Sequence, residues 1–233
     1  MDTVSHQRLL VIGFPPAGGS EATFREIFGL KREFDTYVVK YPGRGVGMAG
    51  WATDTGAVVT ALAAGRAPVL LGAGLGAMAA LETAQYLESR RLPLAGVVLM
   101  SSVAPQWRSL ATDRAWPDSA LIDFLRSGTE NLPASFESPA VSAYALAALR
   151  RDLEWEDEYQ GPRYWPLSCP MTVLRGEHDV LVPEREGTGQ WAMWTAGQFT
   201  CHTVPAGNHR FFASPSGAGP VLDALRRFVP SRI

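Results

Sequence analysis

Residues 70–77 read Leu-Leu-Gly-Ala-Gly-Leu-Gly-Ala, an apolar run that breaks into glycines before a second long apolar segment. This pattern indicates a buried strand, Pro68–Gly72, that turns sharply into a helix, Ala77–Arg90. Continuous rather than alternating apolar strands, each followed by a helix, are typical of a parallel sheet covered on both faces. The stretch therefore predicts an α/β fold.

The same alternation recurs on both sides of this turn. Further strands are expected at Leu9–Phe14, Thr36–Tyr41, Leu94–Ser101, Met171–Arg175 and Phe199–Val204. Further helices are expected around residues 24–30, at Thr53–Ala64, before Trp194 and at Gly219–Phe228.

The alternation stops between residues 105 and 165. There the helical patterns Asp118–Arg126 and Ser138–Tyr159 follow each other with no strand between them. We expect a single domain, 1–233, with a helical lid, 105–165, inserted over the carboxyl ends of the strands, where ligands of such sheets bind.

The composition excludes several classes of protein. The chain has 233 residues, 46% of them apolar, and a net charge of −2. Without a basic excess or a Lys/Arg run, no nucleic-acid partner is expected. No apolar stretch approaches the roughly 20 residues of a membrane span, and the first residues do not resemble a signal peptide. Cys169 and Cys201 form neither a C-x-x-C motif nor a disulfide framework, so we expect a cytoplasmic protein. We expect neither a metal nor a cofactor.

The glycine-rich turn matches two motifs. Gly72, Gly74 and Ala77 satisfy the dinucleotide pattern G-x-G-x-x-[G/A]. That fingerprint normally follows the first strand, and an acidic residue about 20 positions later holds the ribose. Here the turn follows the third strand, and the next strand ends in Ser101 and Ser102. A dinucleotide site is therefore the less favoured interpretation.

The alternative is a nucleophile elbow, G-x-S-x-G, in which Gly72 and Gly76 supply the small flanking residues. Gly74 then stands where the serine would be. In such folds the acid and the histidine come later, on loops after subsequent strands. Asp179 and His209 both follow expected strands in that order. Ser20, Ser101 and Ser102 are other nearby serines, but none occupies an elbow.

Five motifs in order resemble the type II thioesterases of polyketide and nonribosomal peptide assembly lines, which belong to the α/β-hydrolase superfamily. The motifs are Phe-Pro-Pro-Ala-Gly-Gly-Ser at 14–20, Tyr-Pro-Gly-Arg at 41–44, Leu-Arg-Arg-Asp at 149–152, Pro-Leu-Ser-Cys-Pro at 166–170 and Gly-Asn-His-Arg-Phe-Phe at 207–212. The resemblance implies a helical lid and hydrolysis of acyl groups from the phosphopantetheine arm of a carrier protein.

The departures from the family are concentrated at the site. The family's G-H-S-M-G corresponds to residues 72–76, which lack both the serine and the histidine, and Pro16 replaces the histidine of the first loop. From this resemblance we expect His209 to be a base that Asp179 orients. We expect Gly74 to occupy the position of the missing nucleophile. The backbone N–H groups of Leu75 and Ala17 are expected to form an oxyanion hole. Substrate contacts are expected from Pro16, Arg44 and Trp155.

Two functional hypotheses remain. In the first, a repurposed enzyme uses the His209–Asp179 base for cyclisation, elimination, isomerisation or direct hydrolysis without a covalent intermediate. In the second, the chain is a catalytically inactive homologue that binds a carrier protein or an acyl chain. The expected partner is an acyl or peptidyl carrier protein, its phosphopantetheine-bound intermediate, or a released small molecule.

Overall fold

Six parallel strands form one sheet in the order β2-β1-β3-β4-β5-β6. The computed structural model describes residues 8–29, 33–42, 45–107, 117–127, 138–162, 166–182 and 188–229. The strands are β1 (Leu9–Phe14), β2 (Phe34–Val38), β3 (Val69–Ala73), β4 (Gly96–Met100), β5 (Met171–Gly176) and β6 (Phe199–Val204). The predicted α/β architecture is confirmed.

Helices cover both faces of this sheet. They are α1 (Arg25–Phe28), α2 (Met48–Ala63), α3 (Leu75–Ser89), α4 (Asp118–Ser127), α5 (Pro139–Asp157) and α6 (Pro215–Arg226). Helices α2 and α3 pack together on one face, and α1 and α6 pack on the other. None of the described helices is long and apolar enough to cross a membrane.

The double covering explains the continuous apolar strands. Along β1, Ile12 and Phe14 lie in the core cluster on the α3 face, whereas Val11 lies in the cluster on the α6 face. All six residues of β1 and all five of β3 are buried. Because both faces of a central parallel strand are buried, an apolar side chain at any of its positions stabilises the fold.

Helices α4 and α5 follow β4, and no strand separates them in the described part of this segment. They pack together through Leu121, Leu146, Leu149 and Leu153. A Cβ built on Gly18, in the loop after β1, would lie 3.1 Å from Leu149 Cβ. Helix α5 therefore contacts the carboxyl edge of the sheet, and its action as a lid remains a prediction.

Several boundaries differ from the sequence-based expectations, and α2 begins at Met48 rather than Thr53. Strand β2 is Phe34–Val38 rather than Thr36–Tyr41, so Tyr41 lies beyond the strand, where its hydroxyl bonds the carbonyl of Pro15. Helix α6 begins at Pro215 rather than Gly219, because Ser214 caps it by accepting a 3.2 Å hydrogen bond from the Gly217 amide. Proline in the first turn is compatible with this start, since its missing N–H would have no helical partner.

Candidate functional site

The turn between β3 and α3 brings the chain from the buried core to the protein surface at Gly74. Gly74 has φ +54° and ψ −123°, a backbone conformation that side-chain-bearing residues rarely adopt. Its amide donates a 3.0 Å hydrogen bond to the Met100 carbonyl on the neighbouring strand. From Val69 to Gln85, Gly74 is the one residue that is not buried. This sharp, partly exposed strand-to-helix turn has the shape that a nucleophile elbow requires, and its identity as an elbow stays a prediction.

The two glycines that flank Gly74 are required by close packing. A Cβ on Gly72 would lie 2.4 Å from the Gly76 carbonyl oxygen, and one on Gly76 would lie 2.0 Å from that of Phe14. Neither position has space for a larger residue. The small residues of the motif thus have a steric cause, independent of any resemblance.

Position 74 itself has space for a side chain. A Cβ built there would lie 3.4 Å from Pro16 Cβ and 3.9 Å from the Ser101 carbonyl oxygen, which are ordinary contact distances. Pro16, predicted to contact substrate, therefore borders the position that a nucleophile would occupy. The alternative dinucleotide site lacks its acid, since Ser101 and Ser102 follow β4.

Asp179 lies in the loop after β5, and its side chain is fully buried. Its Oδ1 accepts hydrogen bonds from the backbone amides of Leu181 and Val182 at 3.0 and 3.2 Å. Arg175 supports the same loop from below, donating to the Val182 carbonyl at 2.7 Å. The carboxylate is therefore held in a single position.

His209 lies in the loop after β6 and faces this carboxylate. Its Nδ1 lies 3.0 Å from both Oδ1 and Oδ2 of Asp179, and its side chain is 13% exposed. Because a carboxylate only accepts hydrogen bonds, Nδ1 carries the proton and Nε2 is left with a free lone pair in the neutral ring. The structure thus brings together the predicted acid and the predicted base.

The His209 loop is fixed to the loop after β5. The His178 amide donates to the Gly207 carbonyl at 2.7 Å, and the Ala206 amide donates to Glu177 Oε2 at 2.8 Å. From the lid segment, Phe124 on α4 approaches His209 edge-on, with ring centroids 6.4 Å apart. The hydrogen bonds between the two loops and the contact with Phe124 restrict the orientation of the His209 imidazole.

The three predicted site residues follow strands that lie close together in the sheet. Gly74 follows β3, Asp179 follows β5 and His209 follows β6, in a sheet whose order there is β3-β4-β5-β6. All of these strands are parallel, so the three residues emerge at the same edge. The amides of Leu75 and Ala17, the predicted oxyanion hole, donate no hydrogen bond to any residue that the structure describes.

The loop that carries Ala17 is held by two side chains. The Tyr41 hydroxyl donates to the Pro15 carbonyl, and the Gly18 amide donates to Asp152 Oδ2 at 2.9 Å. Burial, with the nearby Asp152 and Glu156 carboxylates, raises the pKa of Tyr41 well above its ordinary value, so the phenol stays a donor. Sequence reasoning missed the role of Asp152, although it lies in the Leu-Arg-Arg-Asp motif.

Trp155 lies in an aromatic cluster between α5 and the body of the protein. Its ring is 5.3 Å from that of Tyr41 and 5.4 Å from that of Trp51, and its Nε1 donates to the Val46 carbonyl at 2.6 Å. The side chain therefore packs the lid segment onto the domain, and its contact with substrate stays a prediction. Arg44 lies outside the described residues.

Across the ranges that the structure describes, no three His, Cys, Asp or Glu side chains are grouped so that they could hold a metal ion.

Comparison with known proteins identifies the family of this chain. The model of the thioesterase domain family matches residues 10–229. The chain is 32% identical over 188 residues to the AMB antimetabolite synthetase AmbE of Pseudomonas aeruginosa, covering 74% of this chain but 9% of AmbE.

Two solved structures share the fold. RedJ, a thioesterase from the prodiginine biosynthetic pathway in Streptomyces coelicolor, superposes with a TM-score of 0.81 at 26% identity, covering 94% of this chain and 90% of RedJ. BorB, the type II thioesterase from the borrelidin biosynthetic cluster, gives a TM-score of 0.79 at 26% identity, covering 96% and 94%. Because the family model spans nearly all of its residues, this chain belongs to the thioesterase domain family.

Proposed function

We propose that this chain is a thioesterase-like enzyme of polyketide or nonribosomal peptide biosynthesis that acts without a serine nucleophile. In this proposal His209 is a general base, Asp179 orients it, and the reacting ligand is not attached to the protein covalently. The reaction class is cyclisation, elimination, isomerisation or direct hydrolysis of an assembly-line intermediate.

The relatives support the biosynthetic setting. AmbE is named a synthetase of an antimetabolite, RedJ comes from the prodiginine pathway and BorB from the borrelidin cluster. A carrier protein, its phosphopantetheine-bound intermediate or a small molecule released from it is therefore the partner that we propose.

The absence of a serine at position 74 argues against the acyl-enzyme route. In a well-studied triad, removing the serine costs about 10⁶ in kcat. Gly74 retains the elbow conformation, with φ +54° and ψ −123°, but offers no nucleophilic atom. Glycine also relieves the strain of that conformation, so its presence alone is compatible with a binding protein.

The observation that carries the proposal is the intact His209–Asp179 pair. A fully buried carboxylate accepts hydrogen bonds from two backbone amides and lies 3.0 Å from Nδ1 of His209. Such an arrangement fixes the imidazole tautomer and stabilises the imidazolium that forms when Nε2 takes a proton. A protein that only bound an acyl chain would have no use for a base oriented in this way.

The proposed mechanism needs only groups of this chain. Nε2 of His209 removes a proton from the ligand or from a water, and the buried Asp179 stabilises the resulting positive charge. Negative charge that develops on a carbonyl oxygen is stabilised by the backbone N–H groups of Leu75 and Ala17, which need no particular side chain. The space above Gly74 receives the reacting group.

The test uses the intermediate that accumulates in a strain lacking the gene. The purified protein should convert this intermediate, and His209→Ala should abolish conversion while ligand affinity stays nearly unchanged. His202→Ala is the matched control, since His202 is exposed on β6 and away from the site. Conversion that survives His209→Ala, or a deletion that lowers the titre without accumulating a convertible compound, would overturn the proposal in favour of a binding role.

A further inference from the structure

Ser101, the residue after β4, has a buried hydroxyl without a hydrogen-bond partner. The residue is 2% exposed, and its Oγ bonds no atom of the residues that the structure describes. Other buried hydroxyls, such as those of Thr83, Ser102 and Thr195, donate to backbone carbonyls. An unsatisfied buried hydroxyl costs stability, so its retention needs an explanation.

The backbone of Ser101 is strained as well. Its φ is +48°, in the left-handed region that residues with a side chain seldom adopt. The other described residues with a side chain and a positive φ, Ala64, Arg91 and Ala206, are all exposed. Among the described residues, Ser101 alone combines burial, a positive φ and an unsatisfied polar group. Backbone strain of this kind clusters at functional sites.

The sheet places Ser101 within the candidate site. Strand β4 lies between β3, which leads to Gly74, and β5, which leads to Asp179. On one side, the Gly74 amide donates to the Met100 carbonyl at 3.0 Å. On the other side, the Ser101 amide donates to the Leu174 carbonyl at 3.1 Å. Ser101 therefore lies at the carboxyl edge of the sheet, between the glycine turn and the predicted acid.

Ser101 also borders the space above Gly74. Its carbonyl oxygen lies 3.9 Å from a Cβ built at position 74. A serine hydroxyl is only two bonds from Cα, so it stays close to its own backbone in every rotamer, and a rotation about χ1 changes the group that it faces. A ligand group above the partly exposed Gly74 therefore lies next to a residue whose hydroxyl has no other partner.

We propose that the Ser101 hydroxyl hydrogen-bonds the polar group of the ligand that occupies the space above Gly74. The proposal rests on the proposed function in assuming that the reacting carbonyl lies at this site. Addition of an oxygen to that carbonyl is the step common to hydrolysis and cyclisation, and it places the attacking oxygen above Gly74.

In this step the C–O bond forms, the electron pair of the C=O π bond moves to the carbonyl oxygen, and the proton of the attacking oxygen passes to Nε2 of His209. Ser101 holds the attacking oxygen and takes no part in the proton transfer. A hydroxyl suits this task because it can both donate and accept a hydrogen bond.

A matched pair of ketones tests the contact without turnover. The probes are S-acetonylpantetheine and S-trifluoroacetonylpantetheine, and water converts the fluorinated ketone to its gem-diol. The gem-diol carries a second oxygen at the position of the attacking oxygen, whereas the methyl ketone does not. By calorimetry, the wild-type chain should bind the fluorinated probe more tightly. Ser101→Ala should reduce this preference by about threefold to tenfold, the range of a neutral hydrogen bond.

Ser102→Ala is the matched control, because it removes a neighbouring buried hydroxyl that already donates to the Val103 carbonyl. It should keep the preference. Equal binding of the two ketones by the wild type, a preference unchanged in Ser101→Ala, or an equal loss in Ser102→Ala would overturn the proposal. So would the absence of binding of the fluorinated probe to the wild type at millimolar concentration.

Thermal stability separates a ligand contact from a structural role. Because the hydroxyl has no partner in the free protein, Ser101→Ala should leave the Tm unchanged or raise it, as expected for a residue retained for function. Ser101→Gly also removes the hydroxyl and tolerates a φ of +48°, so it should lose the same preference in a folded protein. A lower Tm in both variants with an unchanged preference would assign Ser101 to the fold instead. Failure of the His209→Ala conversion test would leave the ketone preference intact, so the two proposals can fail separately.

Discussion

The Gly18 amide donates a 2.9 Å hydrogen bond to Asp152 Oδ2, fastening helix α5 to the loop that carries Ala17. The Asp152 side chain is 3% exposed, and its Oδ1 accepts from Arg151 Nε and Nη2 at 2.9 and 2.7 Å. Gly18 has φ +68° and lies against Leu149, so both its conformation and its contacts favour glycine. One carboxylate thus links the lid segment to the predicted oxyanion hole.

Replacing Asp152 should therefore loosen this loop. Asp152→Ala leaves the Gly18 amide and the Arg151 guanidinium without their acceptor, and we expect a loss of about 1–3 kcal/mol in the free energy of unfolding. Hydrogen exchange at Gly18 should also become faster. Denaturant titration and exchange mass spectrometry measure the two effects.

Asp123→Ala is the control for this substitution, since it removes a carboxylate from α4 whose side chain is 75% exposed. It should change stability by less than about 0.5 kcal/mol. An Asp152→Ala protein as stable as this control, with unchanged exchange at Gly18, would show that the hydrogen bond does not hold the loop.

A serine at position 74 should restore nucleophilic chemistry. A Cβ there meets Pro16 Cβ at 3.4 Å, so the side chain fits without displacing backbone. Gly74→Ser should hydrolyse acyl-N-acetylcysteamine thioesters that the wild-type chain leaves intact, and should form an adduct with a fluorophosphonate. Because φ is +54° and ψ is −123°, the substitution should also cost about 1–3 kcal/mol of stability.

Gly65→Ser separates backbone strain from chemistry. Gly65 has φ +87° and no atom within 4 Å of a built Cβ, so its substitution introduces comparable strain far from the site. It should lose similar stability and gain no hydrolytic activity. A folded Gly74→Ser protein that forms no adduct would mean that the base and the elbow are no longer aligned, which favours the binding role.

The sheet and the order of its loops could be predicted because each depends on a local pattern. Continuous apolar runs marked the buried strands, and the positions of Asp179 and His209 after two of them predicted a pair that the structure brings to 3.0 Å. Gly72 and Gly76 were informative since close packing of the start of α3 against β3 and β1 excludes larger residues there.

Contacts between distant segments could not be predicted in this way. The hydrogen bond from Gly18 to Asp152 joins residues 134 positions apart, and nothing near either residue indicates the other. Trp155 illustrates the same limit, because nothing in the sequence indicates that its ring packs on Tyr41 and Trp51.

The two cysteines should differ in reactivity. Burial, followed by the nearby Glu88 carboxylate, raises the pKa of Cys169 from 9.0 to about 12, whereas Cys201 is exposed. At pH 8 a thiol reagent should therefore label one cysteine in the native protein and both after denaturation, and Cys201→Ser should remove the native labelling. Rapid native labelling of two thiols would contradict the assignment.

The raised pKa of Cys169 also affects stability at high pH. Because the folded-state pKa lies above that of an unfolded thiol, the protonated group stabilises the fold fully below about pH 9. This contribution is lost as the pH rises from about 9 toward 12. Cys169→Ala should therefore flatten the fall in Tm over that interval, relative to Cys201→Ser.

The tautomer of His209 provides the last test, and it needs no substrate. Asp179 accepts hydrogen bonds from two backbone amides and lies 3.0 Å from His209 Nδ1, so wild-type His209 should carry its proton on Nδ1 when neutral. In Asp179→Asn the amide oxygen can keep the backbone contacts while its NH₂ group faces the ring. The ring should then shift its proton to Nε2, which removes the base.

Nitrogen-15 NMR of histidine-labelled protein reports this shift directly, and the signal of exposed His178 serves as the internal reference. Where the orientation of the histidine controls the rate, the same substitution lowers kcat by roughly 10⁴, so conversion of the accumulated intermediate should fall to a similar degree. Asp123→Asn, on the exposed face of α4, should change neither the tautomer nor the conversion. If Asp179→Asn shifts the proton to Nε2 but leaves conversion intact, His209 is not the base, since the protonated Nε2 cannot accept a proton from the ligand.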